Sequence, residues 1–571
     1  MNSYLKFSKK SVLLIASVIV LGSCKDTWNE HYSFKPTDSK YPVAKIAETL
    51  EGIDGFDKFY KVLAETKMCN RNGTPLDVTY LELLSEDQFL TVWAPSNSSL
   101  PDSVWDRYMK KKRDKSPAEH REVGEQFLAN HIARFKHTAG EGEEEMVNML
   151  NGKAYQLTAD GINGQAYHAD DRDIRCSNGI LHCIDGKLDY LPNLYEYITT
   201  IPEYKSIFGD WFRSYTKRDL DLTRSKSRGE YNDNGEKIYV DSVFVEYSDL
   251  MEEFGEINNE DSVYAVVLPT PEVWNSVYGR IKDYYTYNEV ETNNDSLQKF
   301  YTYSTMMGDM FYNVKSKKVN RYLPDSVYST KYKASDNRID KRPYHIFSHP
   351  YDKNTGLFGS SIDSVKCSNG IVYFINSWPF ADTLTFLRQI KLEAENYTLA
   401  EKRLTQTSIA YLDENGNVEK TVRVMRISQE GRKDWDAEYK IYDHLKGRYS
   451  VKMVTHPDIV NGLPNFIHPK VTYQISNDGE DDLVLADSTF TELIEYRPGK
   501  FREQTSSYMF ITSMNKMDTI LVGNIDIPYC KYGMSSARLF VTVTSGVNEM
   551  NSEKYSSELW LDCIILDPIV E

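Results

Sequence analysis

Alternation of apolar and polar positions is the clearest pattern in this chain, and two of the alternating stretches are nearly identical. Residues 174–185 read IRCSNGILHCID and residues 365–376 read VKCSNGIVYFIN, so five consecutive residues recur at an offset of 191. Each stretch is interrupted by Asn-Gly, a dipeptide typical of a tight turn between two strands. The pattern predicts two β-hairpins produced by an internal repeat. On a two-residue Asn-Gly turn Cys176 would face Leu181, so no local disulfide to Cys183 is predicted.

A second pair of similar stretches lies upstream of the hairpins. Residues 89–100 read FLTVWAPSNSSL and residues 263–274 read VYAVVLPTPEVW, and each is an apolar run that ends in proline. Both runs are predicted to be buried strands. Before the first of them, Ile46, Leu50, Phe56 and Leu63 belong to an amphipathic segment at roughly helical spacing.

From Arg388 onward the pattern becomes that of a β protein. Alternating runs at 390–397 and 448–453 and a long final run at 558–567 are separated by turn signals such as Asp413-Glu-Asn-Gly416. Several short strands with a final strand that pairs back into the core indicate an antiparallel β-sandwich. The phrases LEAENYTL and WLDCIILDPI resemble the first and last strands of jelly-roll carbohydrate-binding modules.

The two upstream repeats resemble the fasciclin (FAS1) family, whose motifs are of the types FTVFAPTNEAF and SNGVIHVIDKVLLP. Phe127 to Ile132 (FLANHI) is similar to the family's leucine-rich helix that ends in a histidine, here His131. Met149-Leu-Asn-Gly152 resembles the hairpin that follows it. In the second repeat the histidine landmark is not found, and residues 213–239 look like an inserted loop or hairpin.

These observations predict a multidomain chain of the α+β and all-β classes. The resemblance implies two tandem FAS1 (fasciclin-like) domains, at 41–198 and, in divergent form, at 199–383. A C-terminal antiparallel β-sandwich of jelly-roll type follows at 384–571. The length of 571 residues agrees with more than one domain.

The first residues predict an export signal and a lipid anchor. Lys6, Lys9 and Lys10 precede the apolar run 12–22, which is too short to stay in a bilayer as a membrane span. Leu21-Gly22-Ser23-Cys24 resembles the lipobox of bacterial lipoproteins, which implies a signal peptide at 1–23 and lipidation of Cys24. The acidic residues in the predicted tether at 24–40 are similar to surface-export signals of outer-membrane lipoproteins.

Composition excludes several classes of function. Charged residues make up 26% and hydrophobic residues 40% of the chain, which is typical of a folded, soluble body. The formal net charge of −17 argues against nonspecific binding to nucleic acid or to anionic lipid. Apart from Cys24 there are six cysteines, which would allow fifteen pairings, but buried thiols are favoured for most of them.

No catalytic motif, cofactor or metal site is predicted. The chain has no GxSxG, HExxH, P-loop or CxxC motif. His345 and His349 have a spacing seen in metal sites, but Pro350 follows and no third ligand lies beside them. For His131 a partly buried ring with a satisfied hydrogen bond is favoured over a ligand or proton-switch role. The protein is therefore predicted not to be an enzyme.

Aromatic residues provide the predicted binding positions. Trp435 lies in a polar phrase and could stack on a sugar or form a rim contact. Many of the 41 tyrosines lie around residues 281–351, where a contact surface or half-buried loop packing would use them. The candidate binding tyrosines are Tyr284, Tyr285, Tyr287, Tyr301, Tyr303 and Tyr322. The basic cluster 110–113 and the acidic cluster 141–145 are interpreted as solvated loops, with partner docking as the alternative.

The resemblances imply a binding function at the outer membrane. Multidomain lipoproteins of this pattern resemble accessory components of SusC/SusD-type nutrient importers, so SusC/SusD-like proteins are the expected partners and glycan or peptide the expected ligand. Membrane contact is expected through the lipid anchor only, on a chain that faces the cell exterior. The alternative is an adhesive or structural role, because FAS1 domains elsewhere contact proteins or matrix.

Overall fold

The computed structural model describes two compact units. It covers residues 44–570 except 71–72, 110–114, 140–143, 169–170, 222–224, 232–236, 242–243, 289–293, 315–324, 331–344, 401–403, 413–416, 429–433, 459, 475–482, 488, 498–499, 508–509, 515, 535, 545–553 and 557. The first unit contains the residues up to Tyr190 together with Arg218–Glu246, and the second contains Leu191–Lys217 and Tyr247 onward. Helices and many sheets are present, in agreement with the predicted α+β and all-β classes. The domain boundaries at 198 and 383 stay predictions.

The first unit begins with short helices and continues with short strands. Its helices are α1 (Ile46–Glu51), α2 (Asp57–Glu65), α3 (Tyr80–Leu83), α4 (Asp102–Met109) and α5 (Pro117–Val123), with a π-helical turn at Gly124–Leu128 and 3₁₀ turns at Asn97–Ser99 and Ala129–His131. Its strands are β1 (Lys67–Cys69), β2 (Pro75–Thr79), β3 (Leu90–Pro95), β4 (Ile132–Arg134), β5 (Glu145–Asn148), β6 (Ala154–Thr158), β7 (Gly161–Ile162), β8 (Gln165–Ala166), β9 (Ile174–Cys176) and β10 (Gly179–Ile184). The inserted hairpins follow, with β11 (Lys217–Leu220), β12 (Lys226–Tyr231), β13 (Lys237–Asp241) and β14 (Phe244–Tyr247).

A four-stranded sheet in the order β4-β3-β10-β9 organises this unit. Its central strands β3 and β10 are parallel, with Gly179 opposite Leu90 and Ile184 opposite Pro95. One buried cluster joins the sheet to the helices, and a second joins it to the small sheet β5-β6-β7-β8. All six residues of β3 and all six of β10 are buried, which explains why these strands read as continuous apolar runs.

The second unit repeats this arrangement before its C-terminal strands. Its helices are α6 (Leu194–Thr200), α7 (Pro202–Tyr204), α8 (Asp210–Ser214), α9 (Asp249–Phe254), α10 (Pro271–Ile281), α11 (Asn294–Met307) and α12 (Asp382–Thr385), with a π-helical turn at Lys205–Gly209 and a 3₁₀ turn at Lys282–Tyr285. The strands of this part are β15 (Tyr264–Pro269), β16 (Phe311–Asn313), β17 (Ser326–Tyr328), β18 (Ile346–Ser348), β19 (Asp363–Cys367) and β20 (Gly370–Ile375).

The order of the second four-stranded sheet is β16-β15-β20-β19, the same as in the first unit. Strands β15 and β20 are parallel, with Gly370 opposite Tyr264 and Ile375 opposite Pro269. The six residue pairs between β15 and β20 correspond one to one, in sequence position within the repeat, to the six pairs between β3 and β10. The sequence repeat therefore corresponds to a repeat of topology and register.

The C-terminal part of the second unit is built from long antiparallel strands. They are β21 (Ile390–Glu393), β22 (Leu399–Ala400), β23 (Leu404–Leu412), β24 (Val418–Ser428), β25 (Asp434–Ile441), β26 (Gly447–His456), β27 (Phe466–Gln474), β28 (Leu483–Asp487), β29 (Thr489–Arg497), β30 (Lys500–Ser507), β31 (Phe510–Ile511), β32 (Asp518–Ile527), β33 (Ala537–Thr544) and β34 (Glu558–Pro568).

Two six-stranded sheets share one buried core in this region. The first has the order β23-β24-β34-β26-β32 with β21 beside β34, and the second has the order β22-β25-β33-β27-β28 with β31 beside β27. Residues of both sheets, such as Val451 and Val541, belong to the same cluster of buried side chains. The final strand β34 lies in the middle of its sheet, which agrees with the prediction that the end of the chain pairs back into the core.

Several helices begin where the sequence supplies a capping pair. The Thr79 hydroxyl accepts from the Glu82 backbone N–H at 3.2 Å, while the Glu82 carboxylate accepts from the Thr79 N–H at 2.7 Å. Asn193 and Glu196 form the same reciprocal pair at the start of α6. Such a pair satisfies backbone donors that the first helical turn leaves without partners.

The predicted turn register of the repeated hairpins is wrong by one residue. Cys176 pairs with Gly179, and Cys367 pairs with Gly370, so the two turn residues are Ser-Asn and not Asn-Gly. The reason is tertiary, because each glycine already belongs to the strand that pairs in parallel with β3 or β15. Cys176 therefore does not face Leu181, which pairs with Ile174.

Candidate functional site

The asparagine of the repeated CSNGI motif is buried and holds three chain segments together. Asn178 Oδ1 accepts from the Ile46 N–H at 2.9 Å, at the start of α1. Its Nδ2 donates to the carbonyls of Leu84 at 2.8 Å and Glu86 at 2.9 Å. One side chain thus replaces water for three backbone groups, two of them in the loop that leads into β3.

Asn369 forms the same three contacts in the second unit. Its Oδ1 accepts from the Leu194 N–H at 2.9 Å, at the start of α6, and its Nδ2 donates to the carbonyls of Ile257 at 2.8 Å and Asn259 at 3.0 Å. The role of this asparagine was not predicted from the sequence. Its identical recurrence in both hairpins was the signal that could have revealed it.

The glycine that follows each asparagine is required by close backbone packing. A Cβ added at Gly179 would overlap the carbonyl oxygen of Leu90, and one added at Gly370 would overlap that of Tyr264. Both glycines also have φ values that side chains rarely adopt, at 153° and 158°. The repeated motif is therefore explained by architecture in both copies.

His131 is a buried structural residue. Its Nδ1 lies 2.7 Å from the Phe127 carbonyl oxygen, to which it donates, and its Nε2 accepts from the Leu188 N–H at 2.9 Å. Burial lowers the pKa of His131 to about 4, so the ring is neutral near pH 7. The favoured interpretation, a hydrogen-bonded ring, is confirmed, although the ring is fully and not partly buried.

The two histidines of the 345–349 segment point to different environments. His345 is buried, with Nδ1 3.2 Å from Asp309 Oδ1 and Nε2 accepting from the Ala381 N–H at 2.9 Å. His349 is exposed and has a positive φ of 47°. Both ring nitrogens of His345 are thus engaged inside the protein. In the described part of the chain, no three His, Cys, Asp or Glu side chains are grouped so that they could hold a metal ion.

Two of the candidate tyrosines lie in the interior of the second unit. Tyr285 and Tyr287 are each 1% exposed. The Tyr285 hydroxyl lies 2.7 Å from Thr305 Oγ1, and the Tyr287 hydroxyl donates to the Tyr532 carbonyl at 3.0 Å. Burial raises the pKa of both phenols above the usual range. A ligand in solution would not reach either ring in this conformation, and a binding role for them stays a prediction.

The remaining described tyrosines of this group are partly or fully packed as well. Tyr284 is partly buried, with its ring centroid 5.2 Å from that of Phe386. Tyr301 is partly buried, and its ring lies edge-on to Tyr532 at 5.2 Å. Tyr303 is buried and donates its hydroxyl to the Ile207 carbonyl at 2.8 Å. Their concentration reflects packing inside this unit.

Other predicted positions lie wholly or partly outside the described residues. Cys24 and Tyr322 are outside them, as are the basic cluster 110–113 and most of the acidic cluster 141–145. Trp435 lies on β25 opposite Val543, and its side chain is outside what the structure describes. Lipidation of Cys24 and ligand contact by Trp435 and Tyr322 stay predictions.

The six cysteines that the structure describes form no disulfide. Cys69 is partly buried, and Cys176, Cys183, Cys367, Cys530 and Cys563 are buried. Burial raises the pKa of the Cys530 thiol to about 12, which makes it unreactive as long as its surroundings stay closed. None of the helices in the described part of the chain has the length and apolarity that a membrane crossing needs.

Comparison with protein families agrees with the geometry of the first unit. The Fasciclin domain family matches residues 75–189, a range that contains β3, the His131 turn and the Asn178 hairpin. The chain carries a FAS1 domain. No curated protein matches the chain.

Solved structures give only distant likenesses. The Podospora anserina GH26-CBM35 beta-(1,4)-mannanase is 10% identical, with 32% of this chain and 28% of that chain covered and a TM-score of 0.17. The CBM22-2 xylan-binding domain from Paenibacillus barcinonensis Xyn10C is 10% identical, with 32% and 99% covered and a TM-score of 0.18. The family 35 carbohydrate binding module from Clostridium thermocellum is 12% identical, with 31% and 98% covered and a TM-score of 0.15. TM-scores this low do not establish a shared fold.

Proposed function

We propose that this protein is a non-catalytic, lipid-anchored binding protein of the bacterial outer membrane that faces the cell exterior. The observation that carries this proposal is the FAS1 domain at 75–189, a module that fits a surface or adhesion protein. The Leu21-Gly22-Ser23-Cys24 lipobox-like sequence supports the anchor. Lipid chains on Cys24 would hold the folded units beside the membrane and raise their local concentration there.

The polar residues at the FAS1 landmarks support a binding role over a catalytic one. His131 and Asn178 use their hydrogen-bonding groups on backbone atoms of the same unit. A catalytic side chain needs a polar atom directed at a substrate, in an accessible pocket. A function of this domain is therefore expected at its surface, by contact with another molecule.

The finer architecture belongs to the same proposal. The shared strand order, the shared register and the matching contacts of Asn178 and Asn369 support a second, divergent FAS1 module in the second unit. The common core of the two C-terminal sheets supports a β-sandwich. We take SusC/SusD-like importer proteins as the partners, with glycan or peptide as ligand, on the resemblance of the whole pattern to accessory lipoproteins of such systems.

Adhesion is the second candidate, and the FAS1 domain itself favours it. An adhesive protein would contact other proteins or matrix and would need no importer. The two candidates are separated by purifying the tagged protein from detergent-solubilised native membranes. Recovery of a stoichiometric SusC/SusD-like pair supports the importer role, whereas its absence, together with binding of the immobilised protein to intact cells or matrix, supports adhesion.

The anchor is tested by replacing Cys24. We expect Cys24→Ala to be released from the outer-membrane fraction, while Cys69→Ala, which changes a cysteine in the folded body, stays with the membrane. Equal membrane association of Cys24→Ala and the unmodified protein would refute the anchor. It would leave the binding function of the folded units to be tested separately by the purification above.

A further inference from the structure

Five tyrosines form a contact inside the second unit, between two of its parts. The FAS1-like part contains the sheet β16-β15-β20-β19 with its helices, and the other part contains the C-terminal strands β21 to β34. We name them the tyrosine seam, which consists of Tyr284, Tyr285, Tyr287, Tyr301 and Tyr532. The first four come from residues 284–301, and Tyr532 follows strand β32. The Tyr532 ring centroid lies 5.8 Å from that of Tyr285 and 5.2 Å from that of Tyr301, both in edge-on geometry.

Backbone hydrogen bonds cross the seam on both sides of these rings. The Cys530 N–H donates to the Thr286 carbonyl at 2.7 Å, and the Lys446 N–H donates to the Tyr284 carbonyl at 2.9 Å. The Tyr287 hydroxyl donates to the Tyr532 carbonyl. Separation of the two parts would break all of these bonds and would bring the buried phenols into contact with water.

The hydrophobic core also continues across the seam. Leu445, before β26, and Cys530, after β32, belong to the same buried cluster as Trp274 and Phe311 of the FAS1-like part. Both residues lie in loops of the C-terminal region, at 4% and 1% exposure. The FAS1-like part therefore completes its core with side chains from two loops that lie more than a hundred residues after Phe311 in the sequence.

Close packing at one glycine makes the fit specific. Gly533 has a positive φ of 70°, and a Cβ added there would overlap the hydroxyl and ring of Tyr301. A side chain at this point would require the Tyr301 ring to move away from its present position. Close fit of this kind is typical of a packed protein interior.

We propose that the FAS1-like part and the C-terminal β region of the second unit unfold together as one cooperative body, with the tyrosine seam as their common core. This body has no hinge at the predicted domain boundary near residue 383. A ligand or partner bound by either part is therefore held at a fixed geometry to the other part.

Three buried cysteines of the full-length protein can report on this cooperativity. Cys367 lies in the FAS1-like part, Cys563 lies in the C-terminal strands and Cys530 lies at the seam, each 1% exposed. The protein is incubated with iodoacetamide at a series of urea concentrations, and the alkylation is then quenched. Mass spectrometry quantifies the alkylated fraction of the three peptides that contain these cysteines. We expect one common midpoint for all three thiols. A lower midpoint for Cys530, or different midpoints for Cys367 and Cys563, would show independent domains and overturn the proposal.

A matched pair of glycine variants tests the seam directly. Gly462 also has a positive φ, at 66°, but no atom lies within 4 Å of an added Cβ. Gly462→Ala therefore carries the backbone strain alone, whereas Gly533→Ala adds the overlap with Tyr301. In native buffer we expect about ten-fold faster alkylation of Cys530 in Gly533→Ala than in Gly462→Ala. In urea, Gly533→Ala should lower the midpoints of Cys367 and Cys563 together. Equal behaviour of the two variants, or a shift of one midpoint only, contradicts the proposal.

A milder variant covers the case in which Gly533→Ala does not fold. Tyr287→Phe removes the hydroxyl that donates to the Tyr532 carbonyl and keeps the ring in place. Because this hydroxyl also contacts the Cys530 thiol, the readout for this variant is the pair of urea midpoints of Cys367 and Cys563 and not the alkylation rate of Cys530. We expect both midpoints to fall, since one buried hydrogen bond is lost. The midpoints of Cys367 and Cys563 should again move together, and separate movement would contradict one cooperative body.

Discussion

The two four-stranded sheets share strand order and register, but they differ in how their central strands are covered. Ile180 of β10 is 3% exposed, whereas its repeat partner Ile371 of β20 is 37% exposed. In the first unit, Trp93 of β3 packs into a separate core with the small sheet β5-β6-β7-β8. Its counterpart in β15 is Val267, which belongs to the main core of the second unit. The repeated motifs form the four-stranded sheet of each unit, which we call its frame. The segments between the motifs decide which side chains pack on that frame.

Each unit also includes a part of the chain that lies outside its own repeat. The first unit includes Arg218–Glu246, which is inserted before the first motif of the second repeat. The second unit includes loops of the C-terminal strands, at Leu445 and Cys530. Both cases show that a sequence repeat marks a unit of topology without marking the limits of a compact unit. Three measurements test how far the two frames are equivalent.

The largest effect is expected at the repeated asparagine. We expect Asn178→Ala to destabilise the first unit, and Asn369→Ala the second, by about 3 to 5 kcal/mol. In each unit two buried backbone groups, at about 1 to 3 kcal/mol each, and one partly buried group lose their partner. Hydrogen exchange with mass spectrometry would report each unit separately. The exposed Asn376→Ala is the control. Very unequal losses in the two units would show that the frames are not equivalent.

Acid should weaken both units because each contains a buried neutral histidine. Burial lowers the pKa of His131 and of His444 to about 4 from 6.5. The unfolded chain therefore binds a proton at a higher pH than the folded protein. The contribution of each buried histidine to the free energy of unfolding is fully present above about pH 6.5 and is lost as the pH falls toward 4. The loss is about 1.4 kcal/mol per pH unit and roughly 3 kcal/mol in all for each ring.

Urea unfolding between pH 7.5 and 4 would measure this loss. A glutamine at position 131 or 444 does not titrate, so His131→Gln and His444→Gln should each flatten the pH dependence by the contribution of one histidine. The exposed His349→Gln should leave the slope unchanged. A slope that neither buried variant alters would rule out these rings as its source.

A smaller effect is expected where the inserted segment contacts the first unit. Arg218 forms an ion pair with Glu125, and Arg121 lies 3.2 Å from Glu125 and 3.8 Å from Glu246. These side chains are partly exposed, so solvent screens the pairs. We expect Glu125→Gln to cost about 1 kcal/mol and to speed hydrogen exchange in 218–246, with a smaller effect in high salt. Asp54→Asn, an equal change of charge at an exposed site, should leave that segment unchanged.

Much of the frame could be predicted because it depends on local patterns. The strands that end at Pro95 and Pro269, the hairpins of both repeats and the central C-terminal strand were each marked by apolar runs and turn residues. The inserted hairpins between Lys217 and Tyr247 were marked by turn signals. The hairpin register was missed by one residue, because the parallel pairing of Gly179 with Leu90 overrides the preference of Asn-Gly for the turn.

The tyrosines show most clearly that a sequence pattern does not identify the partner of a side chain. A cluster of amphipathic rings in polar segments is typical of a contact surface, and the same composition also suits packing between two parts of one chain. The structure packs Tyr285 and Tyr287 against residues near position 530, which no local pattern links to them. Nothing in the sequence around residue 285 could distinguish an internal partner from an external one.

The repeat, the FAS1 motif and the β-rich C-terminal region can be read from the sequence alone, as can the basis of the proposed export signal, because each is encoded by neighbouring residues with a fixed spacing. The links that Asn178 and Asn369 make between distant backbone groups, and the tyrosine seam between two parts of the second unit, become visible only in the folded chain. These roles depend on which surfaces lose water together on folding. That choice is made by contacts between residues far apart in the chain.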